Sequence, residues 1–493
     1  MNAMNWPVVL PELWLLAATC VVLLIDVFAA ASGRRLTYWL TQGVIAVFAW
    51  LHLQGLAEGA TAYGMQRMVV VDPMGHLLAF FGAVAVMVTL AYARPTLAAR
   101  DMEKGEFYTL ALFVLLGISV MCSANHFLVV YLGLEMMSLA LYALTALRRD
   151  HTVAAEAAMK YFVLGALASG FLLYGLSMMY GATGTLEIPK VFEQIAGGRI
   201  NREVLVFGLV FVVAGLGFKL GAVPFHMWVP DVYQGAPTAV TLMIGSAPEF
   251  AAFAITIRLL VEGMLGLAPD WQQMFVVMGV GSLVVGNVAA IAQTNLKRML
   301  AYSTIAQIGF VVLGLAAGVV SGNTLSAGNA YSSAMFYLVA YVLTTLGTFG
   351  LIMYLSRQGF ECEEIADFAG LARSRPWVAG VMTIFLFSLA GLPPFVGFFA
   401  KLAVIQALVT TNLGGYIVLA VVAVLLSLVG IFYYVRVIKV MWFDAPAQPV
   451  VVERSGGVSA LLAANGAAVL LFGMFSGGLM ALCRDAIVRA LGT

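Results

Sequence analysis

Residues 204–230 read VLVFGLVFVVAGLGFKLGAVPFHMWVP, an apolar stretch in which Lys219 and His226 are the titratable side chains. An ionised lysine near the centre of a bilayer-spanning helix costs about 2.5–3.5 kcal/mol on insertion scales, and such residues usually serve ion or proton transfer. Two glycines flank the lysine, and Pro224 interrupts the helix five residues later. A discontinuous membrane helix with a buried charge is typical of an ion site.

The composition identifies a polytopic membrane protein. The chain has 493 residues, of which 62% are hydrophobic and 10% are charged, whereas soluble domains carry about 25% charged residues. A membrane-spanning helix needs about 20 mostly apolar residues, and a β-barrel would show short alternating segments instead. We identify fourteen candidate spans: 8–30, 37–56, 74–93, 107–124, 126–147, 153–180, 203–223, 237–261, 272–293, 299–319, 329–356, 377–410, 414–443 and 459–481.

Span seven is not the only interrupted span. In span twelve the sequence Gly391-Leu-Pro-Pro394 precedes Lys401, as a Gly/Pro break accompanies Lys219 in span seven. Paired interrupted helices in two halves of a chain indicate inverted repeats. We therefore predict an all-α integral membrane protein with about fourteen helices and two inverted five-helix repeats, each containing a broken helix. The predicted parts of this single membrane domain are three N-terminal helices (1–105), the two repeats (106–261 and 272–443) and a C-terminal helix (459–493).

Charges in the loops predict the orientation. The loops after odd-numbered spans carry fifteen lysines and arginines, and the opposite side carries seven. By the positive-inside rule both termini are expected to be extracytoplasmic. We interpret Asp26, Asp72, Lys297 and Arg298 as boundary charges near the membrane edges. The longest segments between spans, 181–202 and 357–376, are too short for a soluble domain, and we expect short interfacial helices there.

Several functional classes are excluded by the sequence. The net charge is +1, so a nucleic-acid partner is not expected. The four cysteines are widely scattered and match no iron–sulfur or disulfide spacing. Gly215-Leu-Gly217 lies within a membrane span rather than at a strand-to-helix turn, so it is not a nucleotide-binding fingerprint. We expect no metal or cofactor in this chain, and any redox chemistry to occur in other chains.

Among the charged residues in the spans before span seven, Glu135 and Lys160 are the candidates for proton transfer. Glu135 lies near the middle of span five and Lys160 lies about two turns into span six. The functional interpretation is a proton relay in which Glu135 biases Lys160 and desolvation helps the lysine to release its proton. Alternatively, Glu156 and Lys160, which have i,i+4 spacing, form a surface pair near the cytoplasmic edge.

Three further residues complete the candidate row. Glu249 lies in the middle of span eight after Pro248, where it either carries protons or pairs structurally with Lys219. His226 either relays protons near neutral pH or makes an ordinary interfacial hydrogen bond. Lys401 either gates proton exit toward the extracytoplasmic side or extends its side chain to an interface.

Three motifs resemble one family. FKLGAVPFHMWVPDVYQGAPT (218–238) resembles the signature of the antiporter-like membrane subunits of respiratory complex I, and DVYQGAP points to their subunit N branch. AQTNLKRMLAYSTIAQIGF (292–310) and LAGLPPFVGFFAK (389–401) resemble the same family. The resemblance covers essentially the whole chain.

The resemblance implies a proton channel of the bacterial NADH-quinone oxidoreductase, a multisubunit enzyme of the inner membrane. It implies that Glu135 of span five pairs with Lys160 of span six. It also implies that Lys219 is the central lysine of the channel and that Lys401 is its lysine on span twelve. Glu249 departs from the family pattern, which usually has lysine in span eight, so a direct Lys219–Glu249 pair becomes plausible. NADH, FMN, iron–sulfur clusters and quinone are then expected in the assembled complex, and the partners are its other subunits and the lipid bilayer.

Two alternatives remain at this level. The chain could belong to a homologous multisubunit cation/proton antiporter, although the DVYQGAP motif disfavours this. It could also be a passive membrane scaffold, in which case replacing Lys219 would leave proton pumping intact.

Overall fold

The computed structural model describes residues 4–28, 34–100, 102–198, 200–320, 322–357, 359–445 and 456–492. Arg199 and Arg454, two of the counted loop charges, and the last two residues predicted for span one lie outside these ranges. In chain order the α helices are α1 (Leu10–Phe28), α2 (Arg34–Glu58), α3 (Pro73–Ala99), α4 (Gly105–Cys122), α5 (Phe127–Thr145), α6 (Thr152–Thr183), α7 (Ile188–Ala196), α8 (Arg202–Lys219), α9 (Trp228–Gly235), α10 (Thr238–Ile244), α11 (Ala247–Thr256), α12 (Ala268–Ile291), α13 (Leu296–Ala316), α14 (Ala327–Leu355), α15 (Leu371–Ser374), α16 (Pro376–Ala390), α17 (Val396–Val409), α18 (Gly414–Phe443), α19 (Gly456–Met474) and α20 (Ser476–Leu491).

Most of these helices are long enough to cross a membrane. Within the described residues, twelve helices have the length and apolar composition of a membrane span. One of them, Thr238–Gly263, combines α10, α11 and a π-helical turn at Ile257–Gly263. Two more crossings are made by broken helices, α8 with α9 and α16 with α17. The predicted fourteen-span, all-α fold is therefore confirmed.

Both breaks fall where the sequence predicts them. The first separates Lys219, the last residue of α8, from Trp228, and the second lies between Ala390 and Val396. Gly221 and Gly391 adopt positive φ angles of 63° and 84° in the two breaks, a conformation that glycine reaches without a steric cost. The broken helix is the fourth crossing of each predicted five-helix unit, which is compatible with the predicted repeats. The repeat boundaries themselves stay predictions.

The short elements were predicted only in part. The segments 181–202 and 357–376 contain the expected short helices, namely α7 in the first and a 3-10 turn (Ile365–Phe368) with α15 in the second. An antiparallel hairpin of β1 (Ala62–Gly64) and β2 (Val69–Val71) was not predicted. Span fourteen was predicted as one helix over 459–481, but the chain bends at Phe475 and continues as α20. Hydropathy does not register this bend because both sides of it are apolar.

The crossings differ strongly in burial. The most apolar windows of Thr238–Gly263, α13 and α14 are 100%, 94% and 89% buried within the chain. In α1, α2, α18 and α19 the corresponding windows are less than half buried, and many of their large apolar side chains are exposed. A helix with an apolar exposed face suits contact with lipid or with another membrane subunit. The buried helices form a core around which the candidate site residues are arranged.

Helices α4 and α5 approach each other closely through glycines. A Cβ atom at Gly117 would lie 2.6 Å from the backbone nitrogen of Met137 and 2.7 Å from the carbonyl oxygen of Gly133. Small residues at a membrane helix interface allow such backbone contact. The spacing between these helices therefore depends on glycine at position 117.

We expect Gly117→Ala to destabilise the protein by about 1–3 kcal/mol, because the added methyl group forces two backbones apart. The measurement is the thermal unfolding temperature of the purified protein in detergent. Gly170→Ala is the matched control, since a Cβ there meets nothing within 4 Å and alanine favours the helix by about 1 kcal/mol. Equal unfolding temperatures for the two variants would contradict the prediction.

Candidate functional site

The broken helix α8–α9 brings Lys219 against α5. Lys219 is the last residue of α8, where unpaired carbonyl groups favour a cation, and its Nζ donates a 2.7 Å hydrogen bond to Oγ of Ser138. Glu135 lies one turn before Ser138 on α5 and is within electrostatic range of Lys219. The Oε1 atom of Glu135 is buried without a hydrogen-bond partner. The structure thus brings an acid and a base together at the first break.

Lys160 lies elsewhere than predicted. Its Nζ forms ion pairs of 2.8 Å with Glu156 and with Asp231, and its side chain is 43% exposed. The expected burial of Lys160 and its pairing with Glu135 are therefore wrong. The i,i+4 alternative with Glu156 is confirmed, but Asp231 adds a contact to the broken helix that this alternative did not include.

Glu249 lies in the first turn of α11 and is 6% exposed. Its Oε2 atom has no hydrogen-bond partner, and the Nζ atom of Lys219 is bonded to Ser138 instead of to Glu249. The expected direct pair is therefore not formed. Both residues instead line one small cavity, with about 20 Å³ of space for the centre of a water molecule. A water molecule needs about 10–15 Å³ of such space and several polar partners, so one can bridge the two side chains.

His226 lies within the first break, between α8 and α9. It is half-buried, its Nδ1 atom is buried without a hydrogen-bond partner, and its carbonyl oxygen accepts from the backbone nitrogen of Val229 at 2.9 Å. The ring forms a hydrogen bond with the backbone of Pro224, so the ordinary hydrogen bond that we gave as the alternative is present, while Nδ1 has no partner. A free ring nitrogen at a helix break remains suited to accept a proton.

Lys401 is 8% exposed and lies at the second break. Its Nζ donates to the carbonyl oxygens of Leu389 and Ala390, both at 3.0 Å, and to Oγ of Ser427 at 2.8 Å. The ammonium group therefore satisfies carbonyls at the end of α16 that the break leaves without helical partners. The alternative in which Lys401 extends to an interface is wrong, because its charged end is buried.

Asp231 was not selected from the sequence. It lies in α9 and bridges Lys160, at 2.8 Å, to Arg298 of α13, at 2.7 Å. Arg298 also donates to Oε1 of Gln234 at 3.0 Å. A carboxylate in the quoted 218–238 motif was the available signal. The three charged groups link α6, the broken helix and α13.

Neutral polar side chains were also missed, and they lie between Glu249 and Lys401. Tyr341 is within electrostatic range of Glu249 and donates to Oγ1 of Thr304 at 2.8 Å. One turn further along α13, Gln307 donates to Tyr434 Oη at 3.0 Å and to the carbonyl oxygen of Leu389 at 3.1 Å. That carbonyl is also bound by Lys401. Polar residues inside apolar helices, at Thr304 and Gln307, were the available signal.

Two supposed boundary charges are buried instead. Asp72 forms a 2.6 Å ion pair with Arg258, and their side chains are 2% and 1% exposed. Lys297 is 1% exposed and donates to Glu363 and to the carbonyl oxygen of Ala236, both at 2.8 Å. Burial raises the pKa of the Glu363 carboxyl, and the positive charge of Lys297 offsets only part of this rise. Both residues lie at the end of a span, as expected, since Asp72 is the N-cap of α3 and Lys297 lies in the first turn of α13. They are buried with charged partners instead of facing water, because a buried charge needs a partner.

Asp26 and Arg298 fit a boundary position better. Asp26 is half-buried and accepts a 2.9 Å hydrogen bond from Oγ1 of Thr37, whereas Arg298 is 29% exposed and pairs with Asp231. No group of three or more His, Cys, Asp and Glu side chains that could hold a metal ion occurs in the part of the chain that the structure describes.

Comparisons with known proteins identify the family. A family model described as NADH:quinone oxidoreductase/Mrp antiporter, TM, matches residues 124–427. The NADH-quinone oxidoreductase subunit N of Herminiimonas arsenicoxydans is 59% identical over 497 residues, covering 100% of both chains. A chain in the structure of respiratory complex I from Thermus thermophilus with bound aureothin matches with a TM-score of 0.81 at 28% identity, covering 97% of this chain and 100% of that chain.

A chain of the Mrp complex from Dietzia sp. DQ12-45-1b also matches, with a TM-score of 0.85 at 19% identity and 99% of each chain covered. At that identity the similarity shows the fold alone. The resemblance inferred from the three motifs is confirmed by the family match and by the full-length relative. The chain belongs to the subunit N family of NADH-quinone oxidoreductase, within the antiporter-like membrane proteins.

Proposed function

We propose that this chain moves protons across the bacterial inner membrane as a subunit of NADH-quinone oxidoreductase. Electron transfer from NADH through FMN and iron–sulfur clusters to quinone takes place in other subunits and drives the movement. One observation carries the proposal: Lys219 and Glu249 face one water-sized cavity beside a broken helix without forming an ion pair. An acid and a base separated by a water molecule can exchange a proton, whereas a closed ion pair holds it.

The inner end of the path is the group of Lys160, Asp231 and Arg298. Lys160 and Arg298 keep 43% and 29% of their side chains exposed, so protons from water reach this group. We place it on the cytoplasmic side, because the lysine and arginine distribution puts both termini outside. Asp231 lies on α9 and His226 lies just before α9, so the broken helix links the inner group to the Lys219 cavity. Protons pass His226, which offers a free Nδ1 atom.

In the centre, Lys219 exchanges its proton with Glu135 and Glu249. Both carboxyl groups have one buried oxygen without a hydrogen-bond partner, and either can accept a proton from the lysine. A small movement of the backbone at the break lengthens or shortens the hydrogen bond from Lys219 to Ser138. This alters the balance between the charged and the neutral lysine. The acid at position 249 serves as acceptor here where relatives usually offer a base.

Neutral side chains connect the centre to the second break. Hydroxyl groups of Tyr341 and Thr304 continue from Glu249, and Gln307 with Tyr434 leads to the Leu389 carbonyl that Lys401 binds. Hydroxyl groups donate and accept at once, so they pass protons without carrying charge. Lys401 forms the outlet member of the row.

The two five-helix units, 106–261 and 272–443, act as inverted repeats with one broken helix each. In the first unit, Lys219 is the last residue of α8, before the break. In the second unit, Lys401 lies after the break and binds carbonyl groups at the end of α16. Each unit thus places one cation at the negative end of a half-helix. The partners of the chain are the other complex I subunits and the lipid around its exposed apolar helices.

We expect Lys219→Met to lower the ratio of protons pumped to electrons transferred in the reconstituted complex, since it removes the central exchangeable proton at similar volume. The measurement is proton uptake by vesicles during NADH oxidation. Lys190→Met is the matched control, because Lys190 is an exposed lysine paired with Glu187. An unchanged ratio in an assembled Lys219→Met complex would support the passive scaffold instead.

Glu249→Gln is expected to lower the same ratio, because glutamine keeps the shape and cannot take up a proton. Glu249→Lys restores an exchangeable group and is expected to pump. Glu203→Gln, an exposed glutamate at the start of α8, is the control. A Glu249→Gln complex that pumps normally would reduce residue 249 to a structural role.

Asp231→Asn is expected to slow coupled turnover, because Lys160 and Arg298 lose the carboxylate that joins them to α9. Steady-state NADH oxidation in sealed vesicles with and without an uncoupler measures the effect. Asp270→Asn serves as control, since Asp270 pairs with exposed Arg202 at 3.1 Å and such surface pairs contribute little. Equal coupled rates for both variants would remove Asp231 from the path.

A further inference from the structure

A second line of buried polar groups lies in the N-terminal helices, away from the proposed path. Ser119 of α4 donates to Oε1 of Glu12 in α1 at 2.7 Å, and its Oγ lies 3.5 Å from Nε2 of His52 in α2. Nδ1 of His52 lies 3.0 Å from Nδ1 of His76 in α3. Ser119, His52 and His76 are 0%, 2% and 8% exposed. We call these four side chains the histidine line.

The chemistry of the four groups sets the direction of their hydrogen bonds. Ser119 has a single hydroxyl proton and gives it to the carboxylate of Glu12, so its oxygen can only accept from Nε2–H of His52. Neutral His52 then has a bare Nδ1 atom, which accepts from Nδ1–H of His76. Every bond therefore points toward Glu12. A line in which each inner member donates and accepts can transfer a proton from end to end.

The two ends of the histidine line differ. At Glu12, the Oε2 atom is buried without a hydrogen-bond partner. At the other end, Asp72 lies four residues before His76 and within electrostatic range of it. Asp72, Arg258 and Glu262 line a cleft that also includes Leu491 near the C-terminus. Asp72 therefore connects this cleft to the His76 end.

Other charged groups around the line come from each neighbouring element. Glu58 of α2 and Asp72 of α3 are within electrostatic range of His76. Cys122 of α4 is within electrostatic range of Glu12, Asp72 and Arg258. Arg258 is itself held by two carboxylates, Asp72 and Glu262, both at 2.6 Å. The arginine charge is thus neutralised locally, and a positive charge on His76 faces the carboxylates of Asp72 and Glu58.

We propose that the histidine line is a second proton relay, separate from the Lys219 path, that carries a proton between the cleft at the termini and Glu12. A proton binds Nε2 of His76, and His76 passes its Nδ1 proton to His52. His52 passes its Nε2 proton to Ser119, and Ser119 passes its hydroxyl proton to Glu12. One proton enters and one proton ends on the carboxylate, with no change of oxidation state. The 3.5 Å contact between Ser119 and His52 is longer than an ordinary hydrogen bond and must shorten during transfer.

Gly55 makes room for the relay. A Cβ atom at position 55 would overlap the ring of His76, mainly at Nε2. Gly55→Ala therefore moves His76 without touching Glu12 or Ser119. It offers a second way to interrupt the relay, from the end opposite to Ser119.

The test follows hydrogen–deuterium exchange of the Glu12 carboxyl group by infrared spectroscopy in the reconstituted complex. The infrared band of the protonated Glu12 carboxyl appears as the pH is lowered, and its absence in Glu12→Gln identifies it. Ser119→Ala keeps both ends but breaks the line, and we expect exchange to slow by about a hundredfold, the loss typical of a positioned proton-transfer group. Ser119→Thr is expected to restore wild-type exchange, and Gly55→Ala to slow it.

Thr89→Ala is the matched control, because it removes a buried hydroxyl of α3 that has no hydrogen-bond partner. Its exchange rate is expected to equal that of the wild type. Unchanged exchange in both Ser119→Ala and Gly55→Ala overturns the relay, and so does the absence of a Glu12 carboxyl band at every pH at which the complex is intact.

Discussion

Interrupting a helix inside a membrane leaves backbone carbonyl groups without water to bind, and this need shapes both halves of the chain. At the second break the ammonium group of Lys401 binds two of the freed carbonyls directly. At the first break Lys219 occupies the end of the half-helix but directs its Nζ to Ser138. The same electrostatic requirement thus produces one cation fixed by three bonds and another held by a single hydroxyl group.

This difference assigns unequal roles to the two lysines. Lys401 donates three hydrogen bonds, and a neutral amine has only two N–H groups, so loss of its proton breaks at least one of them. Lys219 has one hydrogen bond, two carboxyl groups nearby and a water-sized cavity beside it. In the proposed relay, proton exchange is therefore centred on the first break, and the hydroxyl groups between Glu249 and Lys401 connect it to the second break.

The sequence predicted the spans and both breaks because these depend on local patterns. Apolar runs, glycines and prolines mark Lys219 and Gly391 without any knowledge of packing. Partners across helices were predicted poorly: Lys160 pairs with Asp231 rather than Glu135, and Asp72 and Lys297, at the ends of their spans, are buried in ion pairs that were not predicted. The position of a charged residue along its predicted span gives its depth in the membrane only roughly. It does not give the direction in which the side chain points. Neutral groups such as Gln307 carry no charge, so their polarity inside an apolar helix was a weaker signal than a buried lysine or glutamate.

The contact between α4 and α5 has a consequence beyond stability. Helix α5 carries Glu135 and Ser138 toward Lys219, and its distance from the rest of the core is set where Gly117 meets Gly133 and Met137. A shift of half an ångström at that contact would lengthen the 2.7 Å bond from Lys219 to Ser138 by a comparable amount. In the proposed relay, the affinity of the central lysine for its proton is thus tuned by a missing methyl group on α4, which carries none of the relay's charged side chains.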